Sequence, residues 1–370
     1  MSAEMLARLL AEKRVIVVCG AGGVGKTTTS ASLALAAARA GRRVLVITID
    51  PSKRLAQTLG VSPHDPEPGA LPEERQRAVG IAAPGNLSAW MLDPQAVSDR
   101  TVRRMSKDAA SADLLLQNRI YRNVAAMVAG MQEYTAVEAL HGFIRDDHYD
   151  LVILDTPPSR NALRFLDAPS RATAFLDRRV LRLFVPGSEN RLRQAATKVF
   201  EGLLDLAFGS EARKELQQFF TLFEQILLYL NRNQGEMKEF FAGSDVTFLL
   251  VSSPKAEALD EAFYFEAKTR ELSLPLAGYI LNRSRAWAAD RPFPSESELP
   301  EDASDTVRRA VEKLAAFAAP EAESAAEHEQ LRTDLAARAG AGFAVALPEL
   351  PAGASDLESL VELAELMQPA

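Results

Sequence analysis

Gly20, Gly25, Lys26 and Thr27 stand at the spacing G-x-x-x-x-G-K-[ST] within Cys19-Gly20-Ala21-Gly22-Gly23-Val24-Gly25-Lys26-Thr27-Thr28-Thr29. Glycines so placed let successive backbone N–H groups turn onto a phosphate, the lysine reaches the terminal phosphates as a point charge, and the neighbouring hydroxyl can hold Mg²⁺. The chemistry implied is phosphoanhydride handling on a nucleotide, with Mg²⁺ as its ion. A glycine turn that only joins a strand to a helix is the alternative. Asp155 follows the apolar run Leu151-Val152-Ile153-Leu154 and is a second candidate, a carboxylate that orients Mg²⁺ and its waters; Asp-Thr-Pro-Pro is also good turn chemistry. Asp50 ends the run Arg43 to Ile49 and could orient or activate a water attacking the γ phosphate near the same ion, or be a turn residue before Pro51. Asn282 ends the run Leu276 to Leu281, where a side-chain amide can pair with an adenine edge as donor and acceptor.

These residues need a scaffold, and the surrounding pattern supplies one. Val15 to Val18, Arg43 to Ile49, Leu87 to Leu92, Leu151 to Leu154, Val246 to Val251, Leu276 to Leu281 and Gly342 to Leu347 read as strands. Helical patterns lie between them: Ser30 to Ala40, Ser52 to Leu59, Ala256 to Leu272, Asp305 to Ala337 and Leu357 to Met367. Ser62 to Glu74, with four prolines, reads as a loop. Alternating strand and helix predicts an α/β fold, a doubly wound, mostly parallel sheet of the phosphate-loop type. The helical stretches near 95–147 and 164–243 exceed an ordinary crossover, which needs only about 10 to 15 residues. The organisation expected is therefore a nucleotide-binding core of 1–94 with 148–163 and 244–370, and an inserted helical subdomain of 95–147 with 164–243.

Composition narrows the classes. Hydrophobic residues at 47% and charged residues at 25% are those of a globular protein, and 42 basic against 50 acidic side chains leave a net charge of −8. That balance argues against broad adhesion to nucleic acid or anionic membrane. The single cysteine, Cys19, excludes an internal disulfide and a multi-thiolate metal site in one chain. Met1 to Leu10 carries Glu4 and Arg8 within its apolar stretch, unlike a secretory leader, and no uncharged run reaches the ~18 apolar residues of a membrane span. A cytoplasmic protein without stable membrane insertion is expected.

Within the inserts, Leu216, Phe219, Phe220, Leu222, Phe223, Ile226, Leu227, Tyr229 and Leu230 cover more than one face of a helix. Such a helix is a subdomain core or an apolar surface for a client. Arg178, Arg179, Arg182, Arg191 and Arg193 form a basic cluster, a solvated face or a site for an acidic partner. None of His64, His141, His148 and His328 has metal-ligand spacing with another His or Cys.

Together the motifs resemble the family of the arsenite-pump ATPase subunits and the ATPases that deliver tail-anchored membrane proteins. Gly20 to Thr28 resembles its deviant phosphate loop, Asp50-Pro51-Ser52 its switch I, and Asp155-Thr156-Pro157-Pro158 through Leu166 its switch II. Leu92-Asp93-Pro94, Thr247-Phe248 with Pro254 and Glu257, Ile280-Leu281-Asn282-Arg283 and Leu347-Pro348 are further matches. The resemblance implies a dimeric, Mg²⁺-dependent ATPase. Lys26, Thr27 and the loop residues Gly20, Ala21, Gly22, Gly23, Val24, Gly25 and Thr28 would hold phosphate and Mg²⁺, with Asp50 near the attacking water, Asp155 in switch II, and Asn282 with the segment around Pro348 at adenine. It also implies a composite hydrophobic groove, gated by nucleotide, for a membrane-protein segment or lipid. The family places a lysine where this chain has Ala21, and that lysine crosses the dimer to the partner's phosphates. Here the cation would come from a paralogous subunit in a heterodimer, or in a homodimer from Lys53, Arg54 or Arg160. Switch II also has Arg160 and Asn161 where the family more usually has glycine and histidine. A single cysteine disfavours arsenite as ligand. Positioning and partition ATPases share the loop, but the tail Leu357 to Ala370 has no basic residue for an anionic membrane.

Overall fold

The computed structural model describes residues 2–49, 54–62, 65, 67–122, 139–140, 142–144, 147–157, 215–216, 218–219, 221–222, 236, 239–289, 299–300, 303–338, 342–350 and 356–368. Asp50, Pro51, Lys53, Arg160, Asn161 and the arginine cluster of 178–193 lie outside them, as does most of 216–230.

The chain divides into two compact units, Met1–Met91 with His148–Ala162 and Ala242–Ala370, and Leu92–Asp147 with Leu163–Phe241. The first holds a sheet whose strands in chain order are β1 (Val15–Gly20), β2 (Arg43–Thr48), β3 (Gly69–Ala70), β4 (Asn86–Met91), β5 (Leu151–Asp155), β6 (Val246–Ser252), β7 (Leu276–Leu281) and β8 (Phe343–Ala346). Their spatial order is β3-β4-β2-β5-β1-β6-β7-β8, and every pairing is parallel except β3 with β4. The chain winds one way from β1 through β2 to β4, returns to lay β5 beside β1, then winds the other way through β6, β7 and β8. Such a reversal opens a crevice at the carboxyl ends of the strands, where open parallel sheets bind ligands.

The central strands are uninterrupted apolar runs because helices cover both faces. β1, β5 and β6 are buried at every position. Helix α1 (Ser2–Glu12) buries Leu6, Leu9 and Leu10 at helical spacing. Helix α2 (Lys26–Arg39) is rich in alanine and buried nearly all round, from Thr29 to Ala38. Small side chains let it lie between the sheet and the last helix, Leu357–Leu366. At the opposite end of the sheet from the crevice, Arg42 donates to the carbonyls of Leu10, Lys13 and Asp150, tying α1, β2 and β5 together.

The segment Ser62 to Glu74 departs from the loop expected of it. Gly69–Ala70 pairs antiparallel with β4, and Glu73 opens a short helix, α4 after α3 (Arg54–Leu59), running Glu73–Ala78. The buried Gln76 side chain organises this edge, donating to Leu71 O at 2.7 Å and accepting from Leu87 N.

In the second unit, α5 (Pro94–Met105) is capped by Asp93 and α6 (Ala109–Gln117) by Asp108, each carboxylate accepting from first-turn backbone N–H groups. That hydrogen bonding holds the Asp108 carboxyl below its usual range. Of the aromatic stretch, Phe219 is buried, and Leu216 and Leu222 are half-buried. Asn118 Nδ2 donates to Glu215 O at 3.0 Å, joining that stretch to the residue after α6.

In the first unit, helices α7 (Ala256–Glu271), α8 (Asp305–Arg338) and α9 (Leu357–Leu366) follow the sequence reading. The α8 helix continues through Pro320. Among the described residues no helix is long and apolar enough to cross a membrane.

Candidate functional site

The glycine loop runs from the end of β1 to the start of α2, and two of its glycines are forced. At Gly20 a Cβ would lie 2.1 Å from the Val251 carbonyl oxygen of β6. At Gly25, which caps α2 with φ 93°, a Cβ would lie 2.2 Å from Asn282 Nδ2. No side chain caps the α2 N-terminus, so its first N–H groups, at the positive end of the helix dipole, face the loop. Ala21 and Val24 are buried, Gly22 and Gly23 exposed, and Thr27 and Thr28 half-buried. Lys26 folds back over the loop, its Nζ donating to Gly20 O at 3.0 Å and Ala21 O at 2.8 Å.

The sheet register carries Asp155 to this loop. Asp155 pairs with Val18 of β1 on one side and with Thr48 of β2 on the other. The carboxylate is fully buried; its Oδ2 accepts from Thr27 Oγ1 at 2.7 Å and from Thr48 Oγ1 at 2.8 Å. Thr156 turns inward beside it and donates from Oγ1 to Val18 O at 2.8 Å. Thr156 stands in the stretch that resembles switch II, whereas Thr48 carries no mark of a site residue in the sequence. A threonine ending a strand carries no signal until the register shows which carboxylate it faces.

Hydroxyl and carboxylate oxygens are hard donors of the kind Mg²⁺ accepts, usually one or two from protein with water and phosphate completing the shell. Thr27 and Asp155, already in contact, fit such an ion by donor chemistry. Cys19, beneath the loop, is of another character. Burial pushes its thiol up to about 12 against the smaller opposing influences of a Thr156 hydrogen bond and Lys26, so it is protonated and inert at neutral pH.

Asn282 lies on the far side of the loop, one residue past β7. Its Nδ2 donates to Val24 O at 2.8 Å. The segment after β8 is laced to the same place, Leu347 N donating to Leu281 O and Ser284 N to Leu347 O, which seats the half-buried Pro348 near Asn282. Beyond them opens a cavity of about 530 Å³ between Ser284, Arg285, Trp287 and Ala288, Glu321 of α8, and Glu349 with Leu350. Arg285 pairs with Glu321 at 2.8 Å, and its backbone N–H donates to His328 Nδ1 at 3.0 Å. The structure thus gathers Lys26, Thr27 and Asp155 on one side of the loop and Asn282 on the other. Asp50 lies outside the described residues.

The family described as anion-transporting ATPase matches residues 13–282. Two Paramecium tetraurelia proteins, ATPase ASNA1 homolog 1 and ATPase ASNA1 homolog 2, are each 27% identical over 277 residues. That is 72% of this chain in both cases, and 74% and 75% of the relatives. ATPase GET3 of Chaetomium globosum is 31% identical over 157 residues, 42% of this chain and 43% of that protein.

Proposed function

Because the chain belongs to the anion-transporting ATPase family and is on that ground an ATPase, we propose that its nucleotide state controls the capture and release of a hydrophobic membrane-protein segment or lipid. In this reading it works as a dimer in the cytoplasm. The loop's backbone N–H groups and Lys26 hold the β and γ phosphates, Asp50 orients the attacking water, and Asn282 and Pro348 flank the base. Thr27 and Asp155 hold Mg²⁺, which when bound neutralises charge on the phosphate oxygens.

The observation that carries the nucleotide part is the 2.7 Å contact between Thr27 and the buried Asp155 at the foot of the glycine loop. The client part is supported by the family resemblance and by the apolar stretch of 216–230. An arsenite-binding role is disfavoured by chemistry: the only thiol is Cys19, buried and protonated. Ala21 bears on the dimer, since a cation must reach the γ phosphate from elsewhere, from a paralogous partner or from Lys53, Arg54 or Arg160. A positioned cation of this kind is worth ~10³ or more in rate.

The test is co-purification from source cells of an ATP-trapped Asp50→Asn variant, alongside Mg²⁺-dependent ATPase assays of the purified wild-type chain. The expected results are hydrolysis abolished by Lys26→Ala, and a hydrophobic chain or lipid, identified by mass spectrometry, retained with ATP and released by wild type. Trapped protein that carries nothing apolar overturns the client reading. Brisk turnover of the lone chain, unaffected by replacing Lys53, Arg54 and Arg160 together, overturns the substitution of those cations for the missing lysine.

A further inference from the structure

Asn282 Nδ2 reaches Val24 O across 258 residues of sequence, and both ends of this contact are buried and fixed. On one side, Asn282 N donates to Ser252 O at 2.8 Å, Arg283 turns the chain with φ 57°, and Ser284 N donates to Leu347 O at 2.8 Å. The backbone that carries the carboxamide is therefore held by three strand ends, those of β6, β7 and β8. On the other side, Val24 is 3% exposed and Gly25 lacks the Cβ that would occupy the amide's place, 2.2 Å from Nδ2.

A trans peptide points its C=O and its N–H in opposite directions. Holding Val24 O towards Asn282 consequently turns the Gly25 N–H away from Asn282, to the other face of the loop. We infer that Asn282 is a positioning residue for the glycine loop: its amide sets the Val24–Gly25 peptide, and so the loop's affinity for any phosphate chain, whatever base that chain carries. The inference rests on reading the loop as a phosphate site and adds a role to the one proposed for Asn282 at the base.

Titration of the full-length chain with ATP, GTP and inorganic tripolyphosphate, each with Mg²⁺, separates the possibilities. Asn282→Ala and Asn282→Asp are expected to weaken all three by about tenfold or more, as befits a lost buried hydrogen bond that leaves a carbonyl unpaired. In Asn282→Asp the ionised carboxylate cannot donate to Val24 O, whereas the protonated acid can. Because position 282 is buried, which raises the pKa of a carboxyl placed there, the Asp variant's deficit relative to wild type is expected to shrink between pH 8 and pH 5.5, while that of Asn282→Ala stays constant. Loss confined to ATP, variants that bind all three ligands like wild type, or a uniform loss with no recovery of the Asp variant at low pH each overturns the inference. A wild-type chain that binds ATP, GTP and tripolyphosphate not at all sinks the phosphate reading itself, and this inference falls with it. Where the variants do not fold, solvent exchange of the Asn282 side-chain amide in wild-type protein labelled with ¹⁵N-asparagine decides. Protection at least about tenfold above exposed asparagines is expected of a buried bonded amide, and exchange at the exposed rate overturns the role.

Discussion

The Thr27 hydroxyl donates to Asp155 Oδ2 at 2.7 Å, joining the first turn of α2 to the end of β5. Thr48 donates to the same oxygen, so one buried carboxylate joins β2, β5 and the first turn of α2. Asp155→Ala removes the acceptor that both hydroxyls share and is expected to cost ~1–3 kcal/mol in urea unfolding. Asp155→Asn keeps an acceptor but loses the charge. It is expected to melt close to wild type while Mg²⁺-dependent turnover falls about 10²-fold or more.

Glu266 gives a prediction about stability alone. This buried carboxylate on α7 accepts from Arg270, Arg338 and Tyr279 Oη, the last at 3.0 Å. Both arginines can be solvated where they stand, whereas the buried phenol cannot. Glu266→Ala is therefore expected to lose ~1–3 kcal/mol by denaturant titration, Glu266→Gln to lose less, and ATP affinity to be unchanged in both.

Cys19 is expected to be silent in the native protein. With its thiol raised to about 12 by burial, it should react with an aromatic disulfide reagent at pH 8 far more slowly than free cysteine. One equivalent should react at once in denaturant. Rapid native labelling would contradict the packing described beneath the loop.

A fourth prediction concerns pH. Asp150 accepts from the Arg43 side chain and from Arg43 N, which holds its carboxyl below the usual range. A carboxyl depressed by folding contributes stability that is present above its unfolded pKa of about 3.9 and is lost as pH falls through the lower folded value. The pair is partly solvated, so Asp150→Asn is expected to cost no more than about 1 kcal/mol at pH 7. The gap between variant and wild type should close progressively below pH 4, as followed by thermal melting.

The glycine loop and Asp155 were legible because each announces itself locally, one by fixed spacing and the other by ending an apolar run. The seven parallel strands were legible for the same reason, as runs too apolar for anything but a covered sheet. What escaped lies in relations between distant positions. Nothing near Thr48 says that it faces Asp155, nothing near Arg42 says that three carbonyls converge on it, and Asn282 suggested a base rather than a bond to Val24. The edge around Gly69–Ala70 and Glu73–Ala78 escaped because two residues are too few to show a strand's alternation, and prolines on either side mask the helix start.

The meeting of Thr48, Asp155 and Thr27 ties the candidate site, in the proposed reading, to the lateral alignment of the sheet. Side chains along a strand alternate between faces, so a slip of β2 by one residue against β5 would set Ile47 or Ile49 where Thr48 now bonds the carboxylate. Misaligned chains would keep the glycine loop intact yet lack the hydroxyl that steadies Asp155. Under the proposed roles, correct strand pairing is read out at the ligand, and a misaligned sheet is expected to give a protein that still binds the phosphate chain but hydrolyses it poorly.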